Sequence, residues 1–153
     1  MTKPEPKVLQ DPSARLDVVP PAAARSRLTR IVAVVALLFG VATLLAGGRV
    51  LLGADPGYRV FQPLLVFNTA MGIAYLGVGV LIGYRSRLAV AGAGLIVLAN
   101  AAMFMFIAFL YRTDDVVART SVLAMAFRTG VWIVLLLALL WSQRQARAGR
   151  VNT

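Results

Sequence analysis

The sequence predicts an all-α fold, namely a polytopic membrane four-helix bundle with a disordered N-terminal tail. Apolar residues make up 59% of the 153 residues and charged residues only 14%, whereas a soluble domain carries about a quarter charged residues. Four apolar segments, each of roughly 20 residues, follow one another and are separated by short polar breaks. None of them shows the polar stripe of a water-facing helix, which disfavours a soluble bundle.

The two ends of the chain differ in composition from the middle. Five of the seven prolines lie in the first 21 residues, among charges of both signs. Such a segment buries too little apolar surface to fold, so residues 1–24 are predicted to be a disordered cytoplasmic tail. It does not resemble a signal peptide, because the first long apolar run begins only near Ile31 and is too long. Residues 144–153 are predicted to be a basic cytoplasmic tail.

Residues 25–143 are predicted to form one transmembrane domain. A helix of about 20 residues crosses a hydrocarbon layer of about 30 Å. The first break, Ala54-Asp55-Pro56-Gly57, is a turn sequence because Pro fixes φ and Gly permits positive φ. Arg85-Ser86-Arg87 predicts a tight polar hairpin, and the third connection opens at Arg112. The predicted spans are residues 31–53, 62–84, 88–111 and 121–142.

The arginines predict the orientation of the bundle, because Lys and Arg beside membrane spans favour the cytoplasmic side. One side of the predicted bundle carries Arg25, Arg27, Arg30, Arg85, Arg87, Arg144, Arg147 and Arg150. On the other side, four arginines are offset by three aspartates: Arg49, Arg59, Arg112 and Arg119, and Asp55, Asp114 and Asp115. We therefore expect a multi-pass membrane protein with both termini in the cytoplasm. This topology explains the net charge of +10 without a nucleic-acid partner.

Small residues recur on one face of each of the first two predicted helices. The helix 1 face holds Ala33, Ala36, Gly40, Thr43 and Gly47, and the helix 2 face holds Asn68, Gly72, Tyr75 and Gly79. Gly79 and Gly83 also form a small-xxx-small pair. Such faces let helix backbones approach closely in lipid. We expect packing within the bundle, and a dimer interface is the alternative.

Four polar residues within the spans form the candidate site. Asn68 lies in the outer half of helix 2, and Tyr75 lies close to the membrane midplane. Asn100 lies near the middle of helix 3, and Arg128 lies on helix 4 on a face with Ser121, Ala124, Trp132 and Leu135. We expect Asn68, Tyr75, Asn100 and Arg128 to converge between the helices as one intramembrane polar cluster.

Arg128 has three possible roles, because an arginine within a span is costly and usually has a reason. Its side chain tilts toward the start of helix 4 and can reach headgroups or the loop aspartates. Alternatively, it clamps Asn68, Asn100 or free carbonyl groups inside the bundle. The third possibility is that it binds an anionic ligand.

The residue types present do not predict an enzyme. The chain has no histidine and no cysteine, the residues that most often serve in acid–base catalysis, zinc ligation or thiol chemistry. No acidic residue lies within a predicted span, and no phosphate-binding loop is present. No metal or cofactor site is therefore predicted.

Two stretches carry a resemblance to a known group of proteins. Residues 67–75, FNTAMGIAY, and residues 119–132, RTSVLAMAFRTGVW, resemble segments of small bacterial four-helix membrane proteins of unknown function. The size and helix count are also similar to those of DoxX-like proteins, although the helix 1 motif of that family is missing. The resemblance implies a four-helix membrane fold and no catalytic residues.

The sequence therefore favours a small accessory or interaction protein of the bacterial inner membrane. The alternative is an oligomeric transporter or channel for a small, possibly anionic solute that uses Arg128. The expected partners are the lipid bilayer and either another membrane protein or further copies of the chain.

Overall fold

The structure is a computed structural model that describes residues 21–55, 57, 60–113 and 117–151. Along these residues the chain forms four α-helices and no strand. They are α1 (Pro21–Leu51), α2 (Gln62–Gly83), α3 (Leu88–Thr113) and α4 (Arg119–Val151). The predicted all-helical class with four helices is confirmed.

Each helix contains a segment long and apolar enough to cross a membrane. The shortest of these segments has 22 residues, which corresponds to a length of about 33 Å at 1.5 Å per residue. The segments are Arg27–Leu51, Gln62–Gly83, Leu88–Thr113 and Arg119–Gln145. They lie close to the four predicted spans.

The first and last helices extend beyond the boundaries expected from the sequence. Helix α1 begins at Pro21, so the last four residues of the predicted tail 1–24 are helical, and residues 1–20 lie outside the described residues. Proline suits the first position of a helix, and the alanines after it are the best helix formers. Helix α4 continues through residues 144–151 of the predicted basic tail. The expected boundaries came from the length of each apolar segment. The helix continues past that segment because the flanking residues also have a high helix propensity.

The helices form an up-down-up-down bundle in which each helix packs against its two neighbours. Contacts join α1 to α2, α2 to α3, α3 to α4 and α4 to α1, while the diagonal backbones of the described residues stay apart. Short connections make consecutive helices antiparallel. The α1–α2 and α3–α4 connections lie at one end, here the two-loop end. The α2–α3 connection lies at the opposite, one-loop end.

Left-handed backbone conformations shape two of the connections. Arg85 has φ 54°, and the N–H groups of Arg85 and Ser86 donate to the carbonyls of Ile82 and Leu81. This is the Schellman arrangement that ends many helices. In the α1–α2 connection, Gly53 and Gly57 have φ of 100° and 74°, and the Gly57 N–H donates to Asp55 Oδ1 at 2.8 Å. The tight connection predicted at Arg85-Ser86-Arg87 is therefore confirmed. In the first connection the turn lies at Leu52 and Gly53, just before the predicted Ala54–Gly57, of which Pro56 is outside the described residues.

Helices α1 and α2 interlock through alternating small and large residues. A Cβ atom at Gly72 would lie 2.8 Å from Leu44 Cγ, and one at Gly40 would lie 2.9 Å from Leu76 Cγ. Gly79 faces Leu37 in the same way, and Gly47 faces Thr69. The small-residue faces therefore pack within the bundle as expected. Gly83, in contrast to Gly79, has open space beside it. The two glycines therefore do not act together in one helix contact among the described residues.

The interior is apolar and so is much of the exterior. Core residues around Tyr75 and Trp132 form one cluster, and Leu64, Ile107, Val117 and Met125 form another near the two-loop end. Leucines such as Leu38 and Leu98 are 65% and 67% exposed. A water-soluble protein rarely exposes so large an apolar surface, because such a surface needs apolar cover.

Replacing Gly72 by leucine should separate α1 from α2. The new side chain overlaps Leu44, and overpacking typically costs about 1–3 kcal/mol. Gly77→Leu is the matched control, because the Gly77 position on the same helix has open space. Thermal unfolding in detergent, followed by near-UV circular dichroism, should show a loss of stability for Gly72→Leu only. Equal losses in the two variants would contradict this packing.

Candidate functional site

Tyr75 forms the central polar contact of the bundle. Its hydroxyl donates to Asn100 Oδ1 at 2.9 Å, which joins α2 to α3, and both residues are fully buried. The Tyr75 ring centroid lies 4.8 Å from that of Trp132 on α4 and 5.7 Å from that of Phe39 on α1. One side chain on α2 therefore contacts a residue from each of the other three helices.

Three buried side-chain atoms have no hydrogen-bond partner among the described residues. They are Asn100 Nδ2, Trp132 Nε1 and Asn68 Oδ1. Buried polar atoms are normally hydrogen-bonded, and small bound molecules such as water often supply the missing partner. Asn100 and Trp132 present donors, whereas Asn68 presents an acceptor. A bound polar group near Asn68 must therefore offer a donor to satisfy it.

A polar cavity of about 110 Å³ lies at the two-loop end, between α1, α2 and α4. Its polar lining consists of Asn68, Thr120, Ser121 and Arg128, and its apolar lining includes Gly47 and Phe61. The two hydroxyl residues belong to the first turn of α4. Engineered apolar cavities of about 150 Å³ hold a benzene molecule, so this space has room for a group of about five non-hydrogen atoms.

The structure divides the four predicted site residues between two places. Tyr75 and Asn100 meet in the centre, and Asn68 and Arg128 line the cavity. Asn68 and Arg128 lie nearer the two-loop end than Tyr75 and Asn100, where one cluster was expected. Their functional role stays a prediction.

Other residues also belong to the bundle centre or to the lining of the polar cavity. Trp132 and Ser121 lie four and seven residues from Arg128, on the helical face that the sequence had already predicted for them. Thr120 could have been found from its position in the first turn of α4. Phe39 carries no such signal, because an aromatic residue in an apolar run looks like any other lipid-facing or core residue.

The polar lining of the cavity has the chemistry of an oxyanion-binding site. Among the described residues it combines one guanidinium, one amide and two hydroxyls with apolar walls. A guanidinium presents five N–H donors in a planar fork and binds oxyanions well. Among the described residues there is no cluster of histidine, cysteine or acidic side chains that could hold a metal ion.

Comparisons with protein-family models, with curated proteins and with solved structures find no match to this chain. The resemblance of residues 67–75 and 119–132 to small bacterial membrane proteins therefore stays a prediction.

Replacing Tyr75 by phenylalanine should destabilise the bundle by removing the donor to Asn100. Hydrogen bonds between membrane helices contribute about 0.6 kcal/mol on average and up to about 1.7 kcal/mol. Tyr84→Phe is the matched control, because Tyr84 is 83% exposed, and its loss should stay below about 0.5 kcal/mol. The Tyr75→Phe/Asn100→Leu pair should be less than additive in detergent unfolding. Full additivity would show that the two side chains contribute independently.

Proposed function

We propose that this chain is a small integral membrane accessory or interaction protein of the bacterial inner membrane. The apolar exterior supports a membrane location, because lipid is the solvent that covers such a surface at no cost. The four candidate spans support a multi-pass protein with both termini on the same side. The arginine-rich one-loop end is then the cytoplasmic end, by the preference of positive charge for that side.

The packing of the bundle centre is the observation that carries the accessory role. Tyr75, Ile82 and Trp132 are almost completely buried and fill the space between the helices. The residues that line the polar cavity all lie in the two-loop half of a helix or in the α1–α2 connection. A single bundle therefore offers no continuous passage among its described residues. An accessory protein needs none, because it acts through its surface.

The cavity with Arg128 favours a second candidate function. A guanidinium facing a small polar cavity is a plausible recognition element for an anionic solute. Because the bundle centre is filled, transport would need a pathway between copies of the chain. The alternative is therefore an oligomeric transporter or channel.

Reporter fusions test the proposed orientation. Reporters at Thr153 and between Arg85 and Arg87 should show cytoplasmic activity, because these positions flank the arginine-rich ends of the spans. Fusions at Asp55 and Asp114 should show activity only with the reporter that works outside the cytoplasm. Each position is assayed with one reporter active only in the cytoplasm and one active only outside it. Cytoplasmic activity at Asp114 would overturn the four-span topology.

Purification from native membranes and reconstitution distinguish the two functions. The accessory role predicts that one membrane protein is recovered in near-equal amount with the chain in mild detergent, and that liposomes containing the chain alone show no anion flux. The transport role predicts flux that falls about tenfold or more in Arg128→Gln, because an ionic hydrogen bond contributes about 1.5–3 kcal/mol. Arg49→Gln is the control, since Arg49 is exposed and does not line the cavity. Flux without a co-purifying partner would reject the accessory role.

A further inference from the structure

The polar cavity opens sideways between α1 and α4. Ala46 on α1 and Thr120 and Ala124 on α4 line the cavity and are exposed, so they form its mouth. Asn68 and Arg128 are less exposed and lie further in. A molecule could therefore reach Arg128 from the side of the bundle without passing through its centre.

An apolar groove of about 430 Å³ follows the same α1–α4 seam. It is lined by Val35 on α1 and by Phe127, Gly130, Val131 and Val134 on α4, among others. Residues eleven apart lie about 20° apart around a helix at 100° per residue. Val35 and Ala46 therefore share one face of α1, and Thr120 and Val131 share one face of α4. The groove thus lies in line with the cavity mouth, toward the one-loop end. The rings of Phe39 and Phe127, with centroids 6.2 Å apart, separate the two.

The order of the cavity and the groove along α4 matches that of a phospholipid headgroup and its acyl chain. Arg128 lies nine residues after Arg119, or about 14 Å along the helix, and its side chain tilts back toward the start of α4. The guanidinium therefore lies near the boundary between headgroups and hydrocarbon. Gly130 and Val134 lie deeper, where acyl chains run. The exposed ring of Phe127 lies between the two levels.

The cavity lining also indicates the chemistry of the headgroup. Arg128 and the hydroxyls of Thr120 and Ser121 can donate to anionic oxygens, which suits a phosphate group. Asn68 Oδ1 is a buried acceptor without a partner among the described residues, so it calls for a donor beside the phosphate. A phosphate that carries a hydroxyl-bearing substituent supplies both kinds of group.

We infer that the α1–α4 seam binds one phospholipid with an anionic, hydroxyl-bearing headgroup of the phosphatidylglycerol type. The phosphate lies at the cavity mouth, where it binds Arg128 and the first turn of α4. A hydroxyl of the headgroup glycerol, which alone occupies the cavity, donates to Asn68, and one acyl chain lies in the groove. The inference rests on the proposed membrane location. A free glycerophosphate is the competing ligand, because it also carries a phosphate and hydroxyl groups.

Lipid titration of the delipidated, full-length protein in detergent, followed by native mass spectrometry, tests the inference. Phosphatidylglycerol should bind about tenfold or more tightly than phosphatidylcholine with identical acyl chains, because only the former offers both a net negative charge and hydroxyl donors. Arg128→Gln should remove most of this preference, and Arg128→Lys should restore part of it. Arg49→Gln should keep it. Equal binding of the two lipids, or equal losses in both glutamine variants, would overturn the inference.

A second pair of variants tests the groove without changing any charge. Gly130 has open space beside it, so Gly130→Leu should partly fill the groove and weaken binding of phosphatidylglycerol several-fold. Gly94 on α3 also has open space and does not line the groove, so Gly94→Leu should bind like the parent. These variants keep the inference testable even if the Arg128 variants fold poorly. Unchanged binding in Gly130→Leu would place the acyl chain elsewhere and contradict the inference.

Two controls identify the source of the phosphate and separate the inference from the proposed function. Glycerol 3-phosphate at millimolar concentration should neither bind in the mass spectra nor compete with the lipid. Its binding without lipid preference would make a free solute the ligand and overturn the inference. Liposome flotation after alkaline extraction tests membrane insertion alone. A failure to insert would reject the proposed function, whereas insertion without headgroup preference would reject only the lipid site.

Discussion

The burial of Tyr75 is the constraint on which the centre of the bundle depends. Tyr75 packs at a tilt against Phe39 and Trp132 and donates to Asn100, so it fixes the spacing of α2 from all three other helices. Apolar side chains gain little from association in lipid, because lipid tails are equally apolar. Specific packing and directional hydrogen bonds must then decide which helix faces meet. A large ring that ends in a single hydroxyl provides both.

The α1–α2 seam is packed more closely than the α1–α4 seam. Gly40, Gly72 and Gly79 admit leucines of the opposite helix, so the backbones of α1 and α2 come close together along that stretch. Among the described residues, α1 and α4 show no such glycine–leucine interlock. The polar cavity opens, and the apolar groove lies, along their seam. Small residues thus act in two ways. They close one helix pair and, at Gly130, leave open space on another.

The position of Arg128 brings its three predicted roles together. It lines the cavity with Asn68, as a clamp would, and in the proposed membrane location an arginine at this position of α4 can reach toward headgroups. Binding of a lipid phosphate needs both properties, because the phosphate lies at the membrane boundary and the cavity lies between helices. A guanidinium at this depth is costly unless an anion or a hydrogen-bond acceptor compensates for it. A lipid phosphate is one such anion.

The number of helices, their approximate bounds and the small-residue faces of α1 and α2 were predictable from sequence, because apolar length and helical period are local properties. Asn68, Tyr75, Asn100 and Arg128 were also identifiable, since polar residues stand out within apolar runs. Sequence could not show that Tyr75 pairs with Asn100 while Asn68 and Arg128 line a cavity, nor that Phe39 belongs to the centre. Those outcomes depend on how each helix is rotated about its axis and how far it slides past its neighbours. The α1–α2 interlock and the ring of Tyr75 set these quantities, and both exist only when the helices are packed together.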